Sequence, residues 1–138
     1  MANVLDMQDI RYLNLFGKIT RVDTMNLIKY NEHLVFGVPK NQLSKAIGEK
    51  GKNVKHLKNL LKKRLKIVAL PKNIEDCERF FRDIINPTEF VEMKIEDDKI
   101  IINAGSNNKA ALLGRNKRRL LELQKIAKDY FKKDLKIV

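Results

Sequence analysis

The sequence predicts an α+β fold in which one unit is used twice. Three observations carry that prediction. The chain overlays itself when shifted by 66 residues, so that Tyr30-Asn-Glu-His-Leu-Val-Phe36 falls on Glu96-Asp-Asp-Lys-Ile-Ile-Ile102 and Ala46-Ile-Gly48 falls on Leu112-Leu-Gly114. Within each copy the apolar spacing alternates between helical and strand periods in one order, helix-strand-strand-helix-helix-strand. The charge alternates in step: residues 1–37 are neutral, 38–68 carry +9, 69–104 carry −4 and 105–138 carry +7.

In the first copy, residues 1–70, Asp6 is placed to cap a helix with Ile10, Leu13 and Phe16 inward, ended near Gly17. Two β-rich runs follow, 24–30 and 33–38, joined by the two-residue turn Asn31-Glu32. Leu34, Phe36 and Val38 alternate as in a half-buried strand. Pro39 stops that strand, and Asn41 is positioned to cap a short helix through Ile47. After Gly48-Glu-Lys-Gly51, a helix carries Val54, Leu57, Leu61 and Leu65 on one stripe, and 66–70 reads as the last strand.

The second copy, residues 71–138, repeats this order. Asn73 caps a helix with Ile74, Cys77, Phe81 and Ile84 inward, ended by Pro87. Val91, Met93 and Ile95 alternate as a strand, Asp97-Asp98 turns, and Ile100 to Ile102 returns. Asn107 or Asn108 caps a short helix to Gly114, and a long helix follows with Leu120, Leu123, Ala127 and Tyr130 inward. The closing matches, Lys66-Ile-Val68 against Lys136-Ile-Val138, need a shift of 70, so the last helix of the second copy is expected to be about one turn longer. Only Pro71 and Lys72 join the copies, too short for a flexible tether, which implies a nearly fixed arrangement.

Composition narrows the function. The chain has 138 residues, 29 Lys+Arg against 17 Asp+Glu, and a net charge of +12, which points to a polyanionic partner. The longest apolar runs fall far short of a membrane span, and the opening Met1-Ala-Asn-Val-Leu-Asp6 is unlike a secretory signal. The single cysteine, Cys77, excludes an internal disulfide and zinc sites that need paired cysteines; a cytoplasmic location is expected. His33 and His56 have no partner suggesting a metal site or a dyad, and Glu96-Asp97-Asp98 reads as a turn. No catalytic residue, metal, cofactor or small-molecule substrate is expected. With three Tyr, six Phe and no Trp, recognition led by base stacking is disfavoured.

The loop Gly48-Glu-Lys-Gly51 is the most informative segment. Two glycines three apart allow positive φ and close approach of another backbone, and the next helix starts there with unpaired N–H groups. Lys45, Lys50, Lys52 and Lys55 add charge around it, while Glu49 opposes a phosphate role unless it accepts from a base or ribose. At the matching place in the second copy, Gly114-Arg115-Asn116-Lys117 has lysine for the second glycine, which is expected to limit positive φ and close approach. Arg115, Lys117, Arg118 and Arg119 cluster there. Arg118 and Arg119 are as compatible with phosphate contact as with a solvated surface, and Lys58, Lys62 and Lys63 read as a solvated face.

Ile47-Gly-Glu-Lys-Gly-Lys-Asn-Val54 resembles the signature of KH domains, Ile-Gly-x-x-Gly-x-x-Ile, and the element order resembles their type II arrangement. Tandem type II units in a short basic chain resemble the archaeal NusA-type transcription factors, over residues 5–138. The resemblance implies two KH domains, each a three-stranded sheet covered by three helices, with an intact loop at 48–51 and a degenerate one at 114–117. It implies that Lys45, Gly48, Glu49, Lys50, Gly51, Lys52 and Lys55, with Gly114, Arg115, Asn116, Lys117 and Arg118, contact single-stranded RNA, the loop gripping about four nucleotides. The expected partners are nascent transcripts and RNA polymerase, the expected role is in transcription elongation and termination, and the alternative is a KH protein of ribosome assembly or translation. The N-terminal polymerase-binding and S1-like domains of the bacterial form are not expected in this chain.

Overall fold

The computed structural model describes residues 5–138; the leader reading of residues 1–4 lies outside them. The chain divides into two compact α+β units at Leu70 and Pro71, each with its own three-stranded sheet.

In the first unit, α1 (Met7–Thr20) starts at Asp6, whose carboxylate accepts from the Asp9 N–H at 2.8 Å while Asp9 reciprocates at 3.2 Å, a capping box. The helix does not end at Gly17. It runs on to Thr20 through Gly17 and closes on Arg21 in the left-handed region. Ile10 is exposed; Tyr12, Leu13 and Phe16 form the inward face. β1 (Asn26–Tyr30) and β2 (His33–Val38) pair antiparallel across Asn31 and Glu32, both at positive φ as a tight hairpin requires.

β2 lies between β1 and a parallel partner, β3 (Leu65–Ala69). It is buried on both faces rather than one, since Val35 is as inaccessible as Phe36. The unbroken run Leu34-Val-Phe-Gly-Val38 is what a central strand with no wet face uses. After Pro39, a 3-10 turn over Lys40–Gln42 leads into α2 (Leu43–Ile47); Asn41 sits within that turn and caps nothing. α3 (Lys52–Leu61) ends at Lys62, so Leu65 belongs to the strand instead of the helical stripe. The core joins Tyr12, Leu13, Phe16, Leu27, Leu34, Phe36, Ala46 and Leu57, with the Phe16 and Phe36 rings stacked at 4.4 Å.

The second unit has the same order. Asn73 accepts from Glu75 N–H and opens a 3-10 turn, Ile74–Asp76, before α4 (Cys77–Ile85); Ile74 stays at the surface. β4 (Glu92–Glu96) and β5 (Lys99–Asn103) pair antiparallel, and β5 pairs parallel with β6 (Asp134–Ile137). β4 is not half-buried: Ile95 is 41% exposed, and Val91 just before the strand is 64% exposed. α4 has nine residues against fourteen in α1, and its Phe80 and Phe81 pack on Tyr130 and Phe131. α5 (Lys109–Leu113) starts without a side-chain cap from Asn108, and Asn107 lies further outside. α6 (Arg118–Phe131) has fourteen residues against ten in α3, which is the extra turn implied by the change of shift. Among the described residues, no helix is long and apolar enough to cross a membrane.

Candidate functional site

The glycine loop is built by a fast reversal between two helices. α2 ends when Gly48 N–H donates to Ser44 O at 3.0 Å, and Gly48 then takes φ 82°, ψ 165°. That region is essentially reserved for glycine. Lys50 (φ 54°, ψ 27°) and Gly51 (φ 72°, ψ 22°) are both left-handed, and Gly51 N–H donates back to Gly48 O at 3.1 Å. α3 then begins with no side chain capping its first turn. The positive end of a ten-residue helix is thus left for a ligand.

The two glycines have different jobs. A Cβ on Gly48 would lie 3.0 Å from Asn53 Cγ and 3.1 Å from Asn53 N, whereas one on Gly51 meets nothing within 4 Å. Gly48 is therefore needed for folding the corner, and Gly51 leaves open space in front of it. Asn53 holds the corner shut: its Nδ2 donates to Lys45 O at 3.2 Å and Ala46 O at 3.1 Å, satisfying the last carbonyls of α2. Sequence reasoning passed over Asn53; its only signal was a polar residue two positions after the second glycine.

Lys45, Glu49, Lys50, Lys52 and Lys55 are exposed around the loop, and none forms an ion pair among the described residues. Ile47 and Val54 flank the loop as half-buried apolar side chains, and Val54 and Ile67 pack on the core edge. The corner thus offers charge, uncapped amides and a narrow apolar margin on one surface.

The second loop reproduces this backbone almost angle for angle. Gly114 has φ 75°, ψ 170°; Asn116 φ 55°, ψ 30°; Lys117 φ 59°, ψ 26°. Lys117 N–H donates to Gly114 O at 3.1 Å, as Gly51 does to Gly48. Lysine is expected to limit positive φ here, yet Lys117 takes it. The second position needs only the ordinary left-handed region, which a side chain enters at a cost of about 1–2 kcal/mol; the region that excludes a side chain falls on the first glycine, which is kept. What Lys117 changes is the space in front of the corner.

Arg115, Asn116, Lys117 and Arg118 are exposed. Arg119 is neither free for phosphate nor a solvated surface residue. Its side chain is 13% exposed and bonded to Glu122 Oε1 at 2.8 Å, and it packs against Gly114, where a Cβ would meet its Cγ at 2.5 Å. It occupies the place Asn53 has in the first copy.

Cys77, His33 and His56 belong to neither loop. Cys77 is fully buried, and burial pushes its thiol up to about 12. His33 bonds through Nδ1 to Asn31 O at 2.9 Å, and His56 is exposed on α3. One pair has no signature in the sequence: Lys29 Nζ reaches Asp9 Oδ1 at 2.7 Å, tying β1 to α1. Burial pushes the Asp9 carboxyl up, but the Lys29 and Asp6 hydrogen bonds outweigh it and hold the carboxyl below its ordinary value.

No family model matches this chain. It is 27% identical over 92 residues to a "probable transcription termination protein NusA" of Methanococcus vannielii, a match over 67% of this chain and 51% of that protein. It is 26% identical over 137 residues to the protein of the same description from Methanocaldococcus jannaschii, covering 96% of this chain and 73% of that one. The crystal structure of APE1850 superposes with a TM-score of 0.66 at 20% identity, covering 97% of this chain and 99% of that one. The chain thus spans about half the length of the first relative, shares the fold of a solved chain over nearly its whole length, and is similar in sequence to two archaeal proteins described as NusA.

Proposed function

We propose that this protein is a non-enzymatic, single-stranded RNA-binding factor of transcription elongation and termination, built from two tandem type II KH domains and acting in the cytoplasm on nascent transcripts beside RNA polymerase. The observation that carries the reading is the corner at Gly48 to Gly51: a glycine-only turn, an open space before Gly51, and an uncapped helix start ringed by unpaired lysines. The mixed order of one antiparallel and one parallel strand pair in each sheet supports the type II assignment. The descriptions of the two archaeal relatives support the placement in transcription.

The phosphodiester backbone approaches Gly51, where no Cβ intervenes, and the first amides of α3 and Lys50 and Lys52 face it. Bases then lie toward Ile47 and Val54. In the second unit, Gly114, Arg115, Asn116, Lys117 and Arg118 offer the same backbone turn with more charge and less room, so binding there rests more on Coulomb attraction than on close approach.

The test is Glu49→Asp with Lys50→Asp, which places two carboxylates before the phosphates without touching Gly48, Gly51 or Asn53. Binding of labelled single-stranded RNA, followed by fluorescence anisotropy, should weaken at least tenfold with an unchanged circular dichroism spectrum. Wild-type affinity in the variant would remove the loop from the binding surface.

A further inference from the structure

We infer that the first unit holds a second phosphate-binding site, which takes the RNA strand after it has left the glycine loop. The inference rests on the RNA-binding reading above. A cleft of about 650 Å³ lies between the start of α1, the β1–β2 turn and the turn that joins α3 to β3. Its cationic wall is Lys62-Lys63-Arg64. All three side chains are exposed, and none has an ion-pair or hydrogen-bond partner among the described residues.

The second copy shows that the third of these charges is not a requirement of the turn. The matching residues are Lys132-Lys133-Asp134, and the left-handed closing residue is kept, Lys62 at φ 57° and Lys132 at φ 58°. There the last two charges are consumed internally: Lys133 Nζ donates to Asp97 O at 2.6 Å, and Asp134 pairs with Lys128 at 2.8 Å. Where the second copy has the carboxylate of Asp134, the first has Arg64. The first turn therefore presents three unspent cations, where the matching turn has two lysines, one of them bonded, and a paired carboxylate.

The rest of the lining is compatible with a phosphodiester. Asp6 and Asp9 are engaged in the helix cap, and Asp9 is also neutralised by Lys29. Glu32 is the carboxylate without an internal partner, and a ribose 2′-hydroxyl is a donor it would accept. His33 uses Nδ1 on Asn31 O, so Nε2 takes no part in that bond. The cleft lies at the end of α3 opposite the glycine loop, about 15 Å along a ten-residue helix. An RNA that fills only the loop, about four nucleotides, does not reach it; a longer strand does.

The experiment compares the full chain with Lys62→Gln/Lys63→Gln/Arg64→Gln, and with Lys63→Gln/Arg64→Gln, which leaves the left-handed residue untouched. Binding of a uridine oligomer of about four nucleotides and one of about three times that length is measured by anisotropy over a series of potassium chloride concentrations. Both variants should bind the short RNA as wild type does. They should bind the long one roughly tenfold more weakly, with the slope of log K against log salt reduced by about 0.7 for each phosphate no longer neutralised. A long-strand affinity and slope equal to wild type would overturn the second site while leaving the loop assignment standing. Wild-type protein that bound neither oligomer would overturn both.

Discussion

Replacing each glycine of the first loop by alanine separates the two roles assigned to them. At Gly48 the φ 82°, ψ 165° conformation is closed to side chains, which costs about 1–3 kcal/mol. The new methyl also lies 3.0–3.1 Å from Asn53. Moving Asn53 loosens its two bonds to Lys45 O and Ala46 O, each contributing about 0.5–1.5 kcal/mol. Less the roughly 0.4–1 kcal/mol returned by restricting the unfolded chain, the expected loss for Gly48→Ala is therefore about 1–5 kcal/mol. At Gly51 the methyl meets nothing within 4 Å and the left-handed cost is about 1–2 kcal/mol. Restricting the unfolded chain returns about 0.4–1 kcal/mol, so Gly51→Ala should lose no more than about 1.5 kcal/mol. Urea unfolding followed by circular dichroism measures both, with equal m values required before the midpoints are compared. If Gly51→Ala proves as destabilising as Gly48→Ala, the division of labour between the two glycines is wrong, and so is the explanation of how Lys117 is tolerated.

Three further outcomes follow from the same geometry. Asn53→Ala strands the last carbonyls of α2 and should cost about 1 kcal/mol, with a parallel weakening of RNA binding; unchanged stability in urea would show that water replaces the amide fully. Asp9→Asn should destabilise by about 1 kcal/mol at neutral pH. Because the folded-state carboxyl is held below its ordinary value, Asp9 contributes fully above the unfolded pKa near ~3.9, and the contribution disappears as pH falls through the folded one. The variant should therefore lose less stability than wild type on acidification, and parallel acid limbs would refute the lowered Asp9 carboxyl. Cys77, buried and with its thiol raised to about 12, should be inert to a thiol-specific disulfide reagent until the protein unfolds; rapid labelling of native protein would contradict its burial.

Local chemistry made much of this protein legible before any coordinates. Asp6 and Asn73 announce helix starts, Asn31-Glu32 and Asp97-Asp98 announce hairpins, and Gly48 and Gly114 mark corners, because caps and turns depend on residues a few positions apart. The extra helical turn of the second copy was visible as a four-residue change of shift, since the strands on either side kept their order. The tertiary structure decided what depends on partners distant in sequence. Only the sheet order shows that β2 has two dry faces and that β4 remains open. Only the folded corners show that the second-glycine position tolerates a lysine and that Asn53 closes one loop while Arg119 fills the same place in the other, and only the packing of β1 on α1 brings Lys29 to Asp9. A motif lists residue types, but whether a given φ is open to a side chain, or a given cation is already spent, is set by atoms brought together from elsewhere in the chain.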